Sequence, residues 1–216
     1  MPNAHPPVHI AILAKAPVPG LAKTRLIPAL GAAGAARLQR LFTRRTLALA
    51  QAASVGPVTL WCAPDPAHRF FRALARQGDL DARAQCGGDL GARLARAVDA
   101  AAGPVLLLGT DCPALTPDDL RDAARALNDG HDLALWPAED GGYVMLGLRR
   151  PCAALFTDMP WSTDQVGRLT EDRARAAGLR LHRGRTLWDV DLPQDLPRWR
   201  ALWQAQPGQP ARAPAP

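Results

Sequence analysis

Three cations and a hydroxyl fall within one short segment, Lys15-Ala16-Pro17-Val18-Pro19-Gly20-Leu21-Ala22-Lys23-Thr24-Arg25, beside a glycine turn. Charge-assisted donors on a tight loop suit phosphate oxygens. A basic surface loop is the competing explanation. The chain carries 24 arginines but only two lysines, and both, Lys15 and Lys23, lie here. A compact ammonium fits where the broad guanidinium fork does not, so the choice of lysine itself points to a point-charge site. No glycine stands directly before Lys23 and the upstream glycine is missing, so the Walker pattern fails. The acids are equally localised. Gly109-Thr110-Asp111-Cys112-Pro113 puts a carboxylate at the end of a very apolar run, as a ligand for a hard cation or a cap for nearby amides. Trp188-Asp189-Val190-Asp191 offers an alternating acidic pair, with Asp191 also a candidate cap for the last helix. Pro137-Ala138-Glu139-Asp140-Gly141-Gly142-Tyr143 joins two acids to a backbone free of Cβ atoms. That combination suits close approach of a ligand beside an acid or base, or else a hairpin turn. The glycine-rich helix entry around Gln85, Gly87, Gly88, Gly91 and Arg93 can seat an anion or a base edge.

These residues need a scaffold, and the hydrophobic pattern supplies one. Residues 8–14, 57–62, 104–110, 132–136, 143–148, 179–182 and 186–188 read as strands. Residues 34–53, 67–77, 89–102, 116–127 and 193–204 read as helices, with a further helix opened by a capping box at Ser162-Thr163-Asp164-Gln165. The alternation predicts an α/β fold with a mostly parallel sheet and helices on both faces, in one domain over residues 1–206. The Pro/Ala-rich residues 207–216 read as a disordered tail. Ligands of such sheets sit outside the carboxyl ends of strands, so the loops after residues 14, 110 and 136 are where chemistry is expected.

Composition narrows the class. With 48% apolar and 21% charged residues, the 216-residue chain is neither disordered nor membrane-spanning. Cys62, Cys86, Cys112 and Cys152 form no CxxC pair, which predicts reduced thiols rather than a zinc or redox site. The first residues carry no secretory pattern, and a cytoplasmic location is expected. A net charge of +6 permits nucleic acid as a partner, but the arginines are dispersed and aromatics make up only 5%, so neither nucleic acid nor membrane is expected.

The ordered series KAPVPGLAKTRL, GGDLGARL, GTDCPALTPDDL, PAEDGGYVMLGL, LFTDMPWST and DVDLPQDL, across about residues 8–197, resembles a bacterial family of small glycosyltransferases assigned to arsenosugar biosynthesis. More distantly it is similar to 2-phospholactate guanylyltransferases and molybdenum-cofactor nucleotidyltransferases. The resemblance implies a GT-A-like nucleotide-diphospho-sugar transferase fold. It also implies that Lys15, Lys23 and Arg25, around Gly20, hold nucleotide phosphates, and that Gln85 and the segment from Gly87 to Arg93 seat the nucleotide. Asp111 would bind Mg²⁺ or Mn²⁺, completed by Asp191 or Asp189. Glu139, Asp140, Gly141 and Gly142 would line the acceptor or sugar pocket, closed by Trp161, Ser162 and Thr163. The implied partners are a nucleotide-diphosphate sugar or an NTP, and a small acceptor. A single aspartate stands where many such glycosyltransferases carry DxD. Glycosyl transfer, with Lys23 and Arg25 screening the leaving group and Asp140 as base, is therefore accompanied by nucleotidyl transfer as the alternative.

Overall fold

Runs that are apolar on both faces must be covered on both faces, and the chain covers them by alternating strands with helices. The computed structural model describes residues 6–78 and 80–205; the expected tail lies outside the described residues. In order the elements are β1 (His9–Lys15), α1 (Ile27–Ala53), β2 (Val58–Ala63), α2 (Arg69–Gly78), β3 (Asp81–Ala84), α3 (Leu90–Asp99) and β4 (Val105–Leu108). They continue with α4 (Pro117–Asn128), β5 (Leu133–Pro137), β6 (Tyr143–Leu148), α5 (Val166–Ala176), β7 (Leu181–Arg183) and α6 (Leu196–Gln204). The strands form one seven-stranded sheet in the order β3-β2-β1-β4-β6-β5-β7. Only β6 runs antiparallel to its neighbours, so the carboxyl ends of the other six share one edge.

Period-two alternation divides the core. Ile10, Ile12, Leu106 and Leu108 face the side covered by α1, α2 and α4, through Leu47, Phe71, Leu120 and Leu127. Ala11, Val105 and Leu107 face α3 and α5, through Leu94, Val98 and Ala174. A third cluster joins Leu26, Phe42, Val190, Trp199 and Trp203, which fastens the loop after β1 and the segment after β7 between α1 and α6.

The single-domain, mostly parallel α/β fold agrees with the sequence expectation, and four local readings are corrected. The helical span of α1 opens at Ile27, ahead of the expected 34, with a short first piece that ends in a kink at Gly31 (φ 67°, ψ 165°); the helix over the expected residues follows that kink. Strand β3 was not anticipated: its Asp-Ala-Arg-Ala sequence is largely exposed at the sheet edge and has no apolar run to announce it. Ser162 adopts a left-handed backbone (φ 66°) and does not cap a helix; α5 starts at Val166. Residues 186–188 form no strand, only an isolated bridge from Leu187 to Ala138.

Candidate active site at the carboxyl edge of the sheet

The chain diverges to opposite sides between β1 and β4, and this opens a crevice at their carboxyl ends. Lys15 stands exposed at the end of β1. Gly109, Thr110 and Asp111 follow β4, Glu139 and Asp140 follow β5, and the segment after β7 brings Asp189 and Asp191 across. The amide of Val190 donates to the carbonyl of Asp111 at 2.9 Å, so backbone alone ties the two acidic segments together.

Lys23 lies at the centre. Its backbone is left-handed (φ 45°, ψ 51°), an uncommon conformation for a side-chain-bearing residue that costs roughly 1 kcal/mol. Its side chain is 4% exposed, and its Nζ donates to the Val190 carbonyl at 2.7 Å and pairs with Asp111 Oδ1 at 2.9 Å. Asp191 Oδ1 lies 3.8 Å away, and the Phe42 ring centre lies 5.3 Å from the ammonium. Arg25 is exposed, with Nη1 3.7 Å from Asp191 Oδ2. Asp111 is oriented from behind by a relay in which buried Gln39 donates to Thr110 Oγ1 at 3.1 Å and Thr110 donates to Asp111 Oδ1 at 3.1 Å.

Negative charge accumulates around these cations. Burial, together with the neighbouring carboxylates of Asp191, Asp140 and Asp111, pushes the Asp189 carboxyl up to about 7. Burial and the charge of Asp111 also raise Asp191, against the opposing pull of Lys23 and Arg25. Four acids thus share one rim and lack sufficient counter-charge, which is the electrostatic condition for a divalent cation. Among the described residues no group of three His, Cys, Asp or Glu side chains forms a cage by itself. Mg²⁺ does not require one, since it takes one or two carboxylates and fills the remaining positions with water and phosphate. The donor set therefore fits a hard cation delivered with a phosphate.

Two clefts meet here. One, of about 330 Å³, is lined by Lys15, Arg25, Leu90, Thr110 and Asp111, among others. Its neighbour, of about 490 Å³, is lined by Glu139, Asp140, Trp188, Asp189 and Arg198. Arg25 and Asp191 border both. A further cavity of about 480 Å³, bordered by His9, Pro57 and Leu80, lies at the amino-terminal edge, away from this charge.

The other residues singled out in the sequence divide into several environments. Gly20 is exposed in the loop after β1 with φ 84°. Gln85 Nε2 donates to the carbonyls of Ala14 and Trp61, so its amide ties β1 and β2 at their carboxyl ends. Gly87 borders open space, Gly88 takes φ 94°, and Arg93 donates back to the Gly88 carbonyl. Gly91 is buried instead: a Cβ there would lie 2.6 Å from the Phe156 carbonyl oxygen and 2.9 Å from Trp161 Nε1, which makes it a close-packing glycine. Glu139 is gripped by both terminal nitrogens of Arg198, at 2.6 and 3.0 Å, and the guanidinium of Arg198 lies 4.4 Å from the Trp188 ring centre. Asp140 is exposed and accepts from the Gly142 amide. Gly141 has φ 89°, and a Cβ there would fall 2.1 Å from the Asp164 carbonyl oxygen, so the turn after β5 is seated on the loop of Trp161, Ser162 and Thr163. Ser162 and Thr163 are themselves exposed.

Gln39, Arg198 and the Asp119–Arg185 pair were not singled out. Gln39 had a readable signal, a polar residue on the apolar stripe of α1. The two arginines gave none among so many others.

Residues 46–163, just over half of the chain, match a family model, DUF2064, described as an uncharacterized protein conserved in bacteria. The chain belongs to this DUF2064 family. No curated protein matches it. Among solved structures, this DUF2064 chain is similar to a protein of Desulfovibrio desulfuricans G20 provisionally designated a nucleotide-diphospho-sugar transferase: 29% identity, 93% of this chain, 89% of that one and a TM-score of 0.82. It shares its fold with the CMP:2-keto-3-deoxy-manno-octonic acid synthetase complexed with CTP (17% identity, 91% and 98% covered, TM-score 0.58). The same holds for glucosyl-3-phosphoglycerate synthase of Mycobacterium tuberculosis in complex with Mn²⁺, UDP and glucosyl-3-phosphoglycerate (11% identity, 94% and 81% covered, TM-score 0.54). The DUF2064 fold here is therefore that of the nucleotide-diphospho-sugar transferases. Among the described residues no helix is long and apolar enough to cross a membrane.

Proposed function

We propose that the protein is a metal-assisted transferase that moves a glycosyl group from a nucleotide-diphosphate sugar to a small acceptor. The observation that carries this reading is the pairing of two adjoining clefts across Arg25 and Asp191, one cation-rich and one acid-lined. Lys15 and Arg25 hold the diphosphate in the first cleft, and the glycine-rich entry to α3 seats the nucleoside. Asp111 and Asp191, with Asp189 alongside, hold Mg²⁺ or Mn²⁺. When bound, that ion neutralises charge on the departing diphosphate. In the second cleft Asp140 takes the proton of the attacking hydroxyl as base. It suits this better than Glu139, whose two oxygens are already engaged by Arg198. The likeness to the Desulfovibrio protein supports the transferase class. An arsenosugar precursor lies within the small-acceptor class, supported by the sequence resemblance alone, and a nucleotide-sugar donor agrees with a cytoplasmic reaction.

A second reading, nucleotidyl transfer from an NTP with release of pyrophosphate, is favoured by the lone aspartate of Thr110-Asp111-Cys112. The same cations would then hold a triphosphate, and Asp140 would only position the acceptor.

Thermal stabilisation by a panel of nucleotide sugars, NDPs and NTPs, each with and without Mg²⁺, tests the proposal. A ligand at 100 times its Kd stabilises by about 2.7 kcal/mol, roughly 5–10 °C for a chain of this size. Metal-dependent stabilisation by a nucleotide sugar or NDP above any NTP is expected. An NTP preference accompanied by pyrophosphate exchange selects the second reading, and no response to any nucleotide overturns both.

A further inference from the structure

Three cationic side chains border the first cleft, and they are not equivalent. Lys15 is exposed and Arg25 is 64% exposed, whereas Lys23 is 4% exposed with its ammonium turned inward. The donors of Lys23 are committed to the Val190 carbonyl and Asp111, with Asp191 next in reach and Phe42 at the back. Two of the three ammonium donors are thus engaged inside the protein, whereas Lys15 and Arg25 extend toward solvent. Flanking residues build this placement in: Ala22 and Leu26 are fully buried on either side, and the left-handed backbone of Lys23 lies between them. The two acidic segments do not depend on Lys23 for their spacing, because the Val190 amide already holds the Asp111 carbonyl.

We propose that Lys23 is the internal cation of this site: its ammonium occupies the space between Asp111 and Asp191 that a divalent ion would take, and it releases the carboxylates when the ion arrives with a phosphate ligand. This rests on the metal-assisted reading above and makes Lys23 a placeholder for the ion that turns to phosphate only once the ion has displaced it. A built-in competitor keeps affinity for free metal low, so the ion enters with the nucleotide, whose phosphates then receive the displaced ammonium. A guanidinium could not do this, since its planar fork is too broad to fill a point-charge position between two carboxylates.

Calorimetry with Mn²⁺ alone, comparing the parent with Lys23→Met, tests the competition. Removing the competing positive charge should tighten Mn²⁺ binding by about tenfold or more. Equal or weaker binding by Lys23→Met overturns the inference and leaves the proposed function standing. No Mn²⁺ binding by Lys23→Met overturns the inference, and no Mn²⁺ binding by either protein even with a nucleoside diphosphate present overturns the metal-assisted reading as well. If Lys23→Met does not fold, the parent gives the answer, because a chain with two lysines labelled with ¹⁵N at Nζ yields two ammonium resonances. Mg²⁺ should shift the Lys23 resonance. A Lys23 resonance unmoved at Mg²⁺ saturation measured by calorimetry overturns the inference alone. So does an equal shift produced by inorganic pyrophosphate without metal, which would make Lys23 a phosphate ligand.

Discussion

Asp119 offers the sharpest thermodynamic test of how the site is held. Its carboxylate is 8% exposed and accepts five hydrogen bonds: from Arg185 Nε at 2.8 Å and Nη2 at 2.7 Å, Trp136 Nε1 at 3.1 Å, and the Thr116 amide at 2.9 Å and hydroxyl at 2.7 Å. Burial on its own would raise the carboxyl, but these donors outweigh it and hold Asp119 down to about 2, from an ordinary 3.8. A depressed folded value means that the stabilisation is present above the unfolded value and is lost as pH falls through the folded one. The difference corresponds to about 2 kcal/mol at neutral pH, lost progressively between about pH 5 and pH 2. Asp119→Asn removes the titrating group and turns an amide NH₂ toward donors, so at pH 7 it should cost about 2–4 kcal/mol. Urea unfolding of both proteins from pH 7 to pH 2.5 measures this. The parent should lose about 2 kcal/mol more than the variant on acidification, so that the curves converge. Parallel curves would refute the assignment. The clamp also bears on the site, because Arg185 anchors the start of the segment that delivers Asp189 and Asp191; at pH 7 the same variant should weaken metal binding.

Asp140→Asn should leave nucleotide-sugar affinity nearly intact and lower turnover by about a hundredfold or more in steady-state kinetics; near-normal turnover with a raised acceptor KM would remove Asp140 as base. Gly141→Ala combines φ 89° with a Cβ 2.1 Å from the Asp164 carbonyl oxygen, and should destabilise by about 2–4 kcal/mol in denaturant titration; a loss below about 0.5 kcal/mol would show that the turn relaxes freely. Thr110→Val deletes the hydroxyl between Gln39 and Asp111, and should cost about 1–3 kcal/mol of stability and roughly tenfold or more in Mn²⁺ affinity by calorimetry; unchanged affinity would mean the relay does not orient Asp111.

What was legible in the sequence was local in origin. The apolar runs of β1 and β4 are buried on both faces, so they read as strands without help from distant contacts, and the loops after them could be placed at the carboxyl edge. Strand β3 was missed because an edge strand needs no apolar stripe; backbone pairing to β2 defines it. Ser162 carried the letters of a capping box, but its left-handed backbone and the contact of Gly141 with Asp164 override that local preference. The scarcity of lysine drew attention to Lys23. Its orientation was not readable, because its partners Asp111 and Val190 lie far along the chain and only the fold brings them in. Gly91 illustrates the converse: a glycine-rich helix entry suggested an anion seat, while at this position glycine is required by the Phe156 carbonyl and the Trp161 ring.

The acids and cations at the carboxyl edge are proposed to bind a nucleoside diphosphate together with a divalent ion. Calorimetric titration of nucleoside diphosphates into the parent and into Asp111→Asn, each with Mn²⁺ and with chelator, measures it most directly. The variant keeps the shape of the side chain and removes the charge that holds the ion. Tight binding is expected only by the parent with Mn²⁺, and binding weakened to the chelator level in Asp111→Asn. Equal affinity in all four titrations, or no binding in any of them, would contradict it.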